Sequence, residues 1–126
     1  MNDLGLFLGV AVAGAVGAPA RYLLDGVIQA RAGGDFPLGT LFVNVSGSLV
    51  LGFVTGLVLY HALPNTPRVL LGTGFCGAFT TFSTFAFESV RLSEEGEQLR
   101  ATANVAVSVV AGLLAAGVGL LLASAF

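Results

Sequence analysis

Two asparagines and a series of hydroxyl residues stand inside stretches that are otherwise apolar, and they are the side chains with chemistry to offer in this chain. Thr40, Asn44 and Ser48 fall four apart and are continued at the same spacing by Gly52 and Gly56, while Asn104 and Ser108 are continued by Gly112 and Ala116. Spacing of four places each set on one slowly drifting face of a helix, polar at one end and small at the other. The chemistry open to such faces is hydrogen bonding rather than bond making. An amide left without a partner in hydrocarbon costs several kcal/mol, so Asn44 and Asn104 must face protein or a wetted pathway. Taken singly, either one reads as interhelical glue.

A third stretch is of another kind. From Gly72 to Phe85 it combines Gly72, Gly74 and Gly77 with Thr73, Thr80, Thr81 and Thr84. Each of these weakens a helix interior relative to alanine, by several tenths to about 1 kcal/mol, so a break in the middle of this span is expected. A break frees backbone carbonyls, and freed carbonyls are the usual cation ligands of discontinuous membrane helices.

The elements that must carry these residues follow from composition. The 126 residues are 56% hydrophobic and 10% charged, where a soluble domain carries about 25% charge. Charge-free apolar runs of spanning length predict four transmembrane helices, at about 4–24, 38–60, 69–90 and 101–125 of a single domain covering 1–126. The connections are short: Asp25 to Pro37 with Gly33 and Gly34, His61 to Arg68 with two prolines, and Glu88 to Arg100, which holds half of the charges. The first run has Asp3 and no lysine or arginine before it, so it reads as a retained span and not as a cleaved signal. Along it Gly5, Gly9, Ala13 and Gly17 form a small-residue stripe of the kind that lets helices approach closely in lipid.

Several functions are excluded. A net charge of −2 without a basic run gives nucleic acid nothing to bind. No nucleophile stands with a base, and no cluster of metal ligands or phosphate loop is present, so an enzyme is not expected. His61 reads as interfacial, Cys76 as a small packing residue, and Glu88 as a solvated residue at the end of the third span.

With these elements in place, Gly77-Ala78-Phe79-Thr80-Thr81-Phe82-Ser83-Thr84-Phe85 closely resembles the GG-x-TTFSTF motif of the Fluc (CrcB-type) fluoride channels. The segment 14–22, ending in Arg21-Tyr22, is similar to the first-helix motif of that family, and 39–47, with Thr40 and Asn44, to its GT-x-x-x-N-x-x-G. The resemblance covers nearly the whole chain. It departs from the pattern at Ala13 and Ala78, where glycine is common, at Pro19, which bends or ends the first helix early, and at Asn104, where some members carry tyrosine.

The resemblance implies a multi-pass protein of the cell membrane that lets fluoride leave the cell down its gradient. It implies an all-α antiparallel dual-topology homodimer, each subunit contributing four transmembrane helices with the third broken mid-membrane. The fluoride pathway it implies maps to Asn44, Thr81, Phe82, Ser83, Thr84, Phe85, Asn104 and Ser108, and the vestibule arginine to Arg21. A central sodium ion (Na+) maps to the backbone carbonyls of Gly77 and Thr80. The chemistry suits a small anion whose strong hydration must be replaced by donors. Amide NH2 and hydroxyl groups donate, and the positive edges of phenyl rings favour an anion. The chain has no lysine, and a pathway without a fixed cation releases its ion readily.

Two rival classes fit the size: a small four-helix dual-topology exporter of the multidrug-resistance type, and a structural membrane subunit. The exporter needs a membrane-embedded carboxylate, and the sequence places acids only at the span ends. A structural subunit accounts for the glycine stripes but not for the 80–85 segment beside two polar tracks. The arginines favour one orientation: Arg21, Arg31, Arg91 and Arg100 stand on one side against Arg68 on the other, or three against one if Arg21 lies inside the membrane.

Overall fold

The computed structural model describes residues 2–126; Met1, part of the expected domain, lies outside the described residues. The first helix, α1 (Asp3–Ala32), starts where the Asn2 side chain accepts the N–H of Gly5 at 2.7 Å and Asp3 stands in the first turn, both favourable at the positive end of a helix. It continues well past residue 24, the expected end. Pro19 lies inside it and does not end it. Termination waits for Gly33, whose φ of 67° is a backbone conformation that glycine adopts at little cost. Asp25 and Arg31 misled the boundary because charge reports where water begins, whereas a helix ends where its hydrogen bonding ends. At about 45 Å, α1 is longer than the roughly 30 Å hydrocarbon layer.

Helix α2 (Leu38–His61) follows a short turn, and the His61 ring nitrogen Nε2 lies 2.7 Å from the carbonyl oxygen of Ala123 near the opposite end of the chain. The third span, Arg68–Glu94, has two parts. Helix α3 (68–79) is wound as a π-helix over Arg68–Cys76 and closes with one α-turn, Gly77–Phe79. Helix α4 (Ser83–Glu94) resumes after three residues outside any helix. Gly96, at φ 80°, turns the chain into α5 (Gln98–Ser124), while the Glu97 N–H bonds the Leu92 carbonyl at 2.8 Å and closes the end of α4.

Helix α2 is central: it packs against α1, α3, α4 and, most extensively, α5. Helix α3 packs on α1, whereas α4 packs on α5, so the third span changes partners across its interruption. The small-residue stripes make these contacts. A Cβ on Gly17 would lie 2.5 Å from the Phe75 carbonyl oxygen, and one on Gly9 would lie 2.6 Å from Leu70 Cδ2. On the other side, a Cβ on Gly52 would overlap the carbonyl of Ala116, and the Cβ of Ala123 fills the space at Gly56. Backbone approach of this kind is what holds helices together where lipid is as apolar as the side chains.

All four spans are long and apolar enough to cross a membrane. Large side chains such as Leu4, Phe7, Leu113, Leu114 and Leu121 point outward from them, while the interior is small, with Val43 and Leu92 fully buried. Such an apolar exterior suits lipid and not water.

Candidate functional site at the interrupted third span

The interruption has a specific chemistry. Thr80 is extended (φ −82°, ψ 160°); its N–H and its hydroxyl both donate to the Cys76 carbonyl, at 2.9 and 2.8 Å. The next peptide group leaves the helical ladder, and Asn44 takes it up. The Asn44 Oδ1 accepts the Thr81 N–H at 2.8 Å, and the Asn44 Nδ2 donates to the Thr81 carbonyl at 2.9 Å. One side-chain amide thus replaces the neighbouring strand or turn that an extended residue needs. Thr81 in turn starts α4: its hydroxyl accepts the N–H of Thr84 at 3.2 Å and lies 3.5 Å from that of Ser83. Gly47 is what lets α2 come this close, since a Cβ there would overlap the methyl group of Thr80.

Beside the interruption is a cavity of about 240 Å³, with Asn44, Ser48, Gly77, Thr80, Thr81 and Phe82 among its walls. Phe82 is 78% exposed. Its ring lies 5.8 Å from that of the half-buried Phe85, at an interplanar angle of 53°. Among the described residues, no N–H or hydroxyl donates to the carbonyls of Gly77 or Thr80, whereas the carbonyl between them, Ala78, accepts from Arg21 Nε at 3.2 Å. Two carbonyls without donors fit a hard cation, which oxygen atoms of this kind can ligate.

The other predicted residues lie on the far side of α4. Asn104 is buried, at 2% exposure, and its Nδ2 donates to the Ser89 hydroxyl at 2.8 Å. The Ser108 hydroxyl points to Asn104 Oδ1 at 3.4 Å. Asn44, Thr81, Phe82, Ser83, Thr84 and Phe85 are therefore brought together at the interruption, while Asn104 and Ser108 stand behind α4.

The sequence model of the family described as "CrcB-like protein, Camphor Resistance (CrcB)" matches residues 8–120. The chain belongs to the CrcB family. Among its relatives is a protein of Leifsonia xyli subsp. xyli named fluoride-specific ion channel FluC 1, 53% identical over 114 residues that cover 90% of this chain and 82% of the relative. A protein of Mycolicibacterium paratuberculosis named fluoride-specific ion channel FluC 2 is 47% identical over 119 residues, covering 94% of each chain. One of Streptomyces avermitilis, named fluoride-specific ion channel FluC 1, is 48% identical over 117 residues, covering 92% of this chain and 94% of the relative. Membership in the CrcB family and four apolar spans make this a multi-pass membrane protein.

Two side chains of this CrcB chain escape sequence reasoning. Glu88 is not a solvated terminal residue: α4 runs on to Glu94, and Glu88, half-buried, accepts a hydrogen bond from the hydroxyl of Thr40, itself only 2% exposed. Ser89, which links Asn104 to α4, is the other. Both carry a usable signal, since Glu88 and Ser89 fall four residues after Thr84 and Phe85 and extend the same faces.

Proposed function

We propose that two copies of this chain form a fluoride-selective channel through which fluoride leaves the cell down its gradient. The observation that carries this reading is the Asn44–Thr81 clamp, which holds an extended segment and an exposed phenylalanine beside a cavity edged with hydroxyl and amide groups. It occurs in a chain whose CrcB relatives are named fluoride-specific ion channels. Asn44, Thr81, Ser83 and Thr84 supply donors that replace water around fluoride, and the ring edges of Phe82 and Phe85 add positive potential without a fixed charge. Asn104 and Ser108 form the polar backing of α4. The Arg21 Nε bond to Ala78 leaves the guanidinium charge near the interruption, where it raises the local anion concentration as a vestibule residue.

In this proposal the third helix is broken mid-membrane at 80–82, and the two subunits lie antiparallel, so that two interruptions meet at the dimer axis. A sodium ion would be held by the carbonyls of Gly77 and Thr80 from each subunit. When bound, it supplies positive charge that satisfies carbonyl dipoles left without donors. Arginine placement supports a second reading of the partner: with Arg21 tied to Ala78, three arginines stand against one across the membrane, which favours a fixed orientation and an oppositely inserted unlike subunit. Retention of all three motifs in this chain favours the homodimer.

The deciding experiment is efflux from liposomes containing the purified protein, read with a fluoride electrode and in parallel with a chloride electrode. Fluoride passes and chloride does not. Equal chloride flux, or no flux of either ion through a folded dimer, refutes the channel.

A further inference from the structure

Helix α4 carries Phe85 in its first turn and follows directly on Phe82, yet the interruption cuts it off from the backbone ladder of α3. Its rotation about its own axis is then set by what it touches, which is chiefly α5 and to a lesser degree α2. The polar tie to α5 is Ser89. Its hydroxyl donates to the Phe85 carbonyl one turn earlier, at 2.8 Å, and accepts from Asn104 Nδ2, also at 2.8 Å. In this arrangement Ser108 donates to Asn104 Oδ1, Asn104 Nδ2 to Ser89, and Ser89 to the Phe85 carbonyl.

The tie is also hard to break. Asn104 is 2% exposed on a helix with apolar neighbours, and Ser89 is the acceptor that its amide finds among the described residues. A buried amide without an acceptor is heavily penalised, so α4 rotates only if that bond is lost. The Ser89 hydroxyl gives the Phe85 carbonyl a side-chain donor one turn away, a contact that ties this position to the local course of the helix. The back-bond reaches the turn that bears Phe85, whose ring centroid is 5.8 Å from that of Phe82.

We propose that Ser89 is a positioning residue of the ion pathway: bonded at once to Asn104 and to the Phe85 carbonyl, it sets the rotation of α4 and with it the attitude of the Phe82–Phe85 ring pair. This rests on the channel reading for its consequence, and on the hydrogen-bond geometry alone for the coupling itself.

The test uses the full-length protein with 4-fluorophenylalanine incorporated at position 85, followed by fluorine NMR, together with unlabelled protein for fluoride efflux from liposomes. Ser89→Ala should shift or broaden the position-85 resonance and slow efflux by roughly threefold to tenfold, as expected when one charge-neutral hydrogen bond is lost. Ser89→Thr, which retains the hydroxyl and the same back-bond, should restore both. If Ser89→Ala does not fold, Ser89→Ala combined with Asn104→Leu removes both partners and leaves no buried amide unpaired, and the ring resonance should still move. A resonance indifferent to these substitutions in a conducting parent overturns the inference and leaves the channel intact. A parent that passes no fluoride, but whose resonance responds to Ser89, overturns the channel reading and leaves the coupling standing.

Discussion

Replacing Asn44 is the most searching perturbation of the interruption, because one side chain serves both the N–H and the carbonyl of Thr81, at 2.8 and 2.9 Å. Asn44→Ala orphans both groups. Each orphan costs about 1–3 kcal/mol when buried, which bounds the loss at roughly 2–6 kcal/mol. Asn44 is only half-buried, and the adjoining cavity of about 240 Å³ has room for water to replace some of what is lost. The lower bound, about 2 kcal/mol, therefore applies, and it corresponds to a roughly 30-fold increase in local opening. Hydrogen exchange reads this directly as faster exchange of the Thr81 amide. Asn44→Asp separates the two halves of the clamp: an ionised carboxylate still accepts the Thr81 N–H, but it repels the Thr81 carbonyl and places negative charge beside an anion path. We expect Asn44→Ala to slow fluoride efflux about tenfold or more and Asn44→Asp to slow it further, with both variants eluting as the parent oligomer. If Asn44→Asp conducts at the parent rate, Asn44 neither holds the segment nor faces the ion, and the reasoning fails.

Phe82→Ile and Phe85→Ile keep apolar bulk but remove the ring edge, so each should abolish or greatly slow fluoride efflux in a folded oligomer; parent-like flux in both would make the rings mere packing. Gly52→Val introduces side-chain atoms where even a Cβ would overlap the Ala116 carbonyl, and with backbone on both sides nothing can move aside. It should cost about 3 kcal/mol or more and abolish the monodisperse species on size exclusion. Replacing sodium throughout purification with N-methylglucamine should weaken the proposed dimer or stop conduction, because the Gly77 and Thr80 carbonyls would lose the proposed cation; unchanged oligomer stability and flux would remove the need for a central ion.

The four spans and their all-helical character are legible in the sequence, and the physical reason is the solvent. Hydrocarbon accepts a spanning segment only if its backbone is satisfied internally, so a charge-free run of sufficient length has almost no alternative to helix. The faces are legible too. Gly9, Ala13 and Gly17 turn toward α3, and Gly52 and Gly56 toward α5, because spacing of four defines a face without any knowledge of what lies opposite.

What lies opposite was decided by tertiary structure alone. Asn44 and Thr81 are 37 residues apart, Thr40 and Glu88 48, and Arg21 and Ala78 57. A periodic pattern shows that Asn44 needs a partner, but the partner depends on how α2 lies across α3 and α4. The end of α1 was hidden for a related reason: Asp25 reads as the edge of the membrane, yet helix formation continues in water until Gly33 stops it. Glu88 and Ser89 look like residues of a charged connection until α4, freed from α3 by the interruption, turns to pack on α5 and brings them inward. Local sequence sets which residues share a helix and a face, because those follow from backbone geometry over a few residues. Which faces meet depends on close fits between distant segments, and no single segment contains that information.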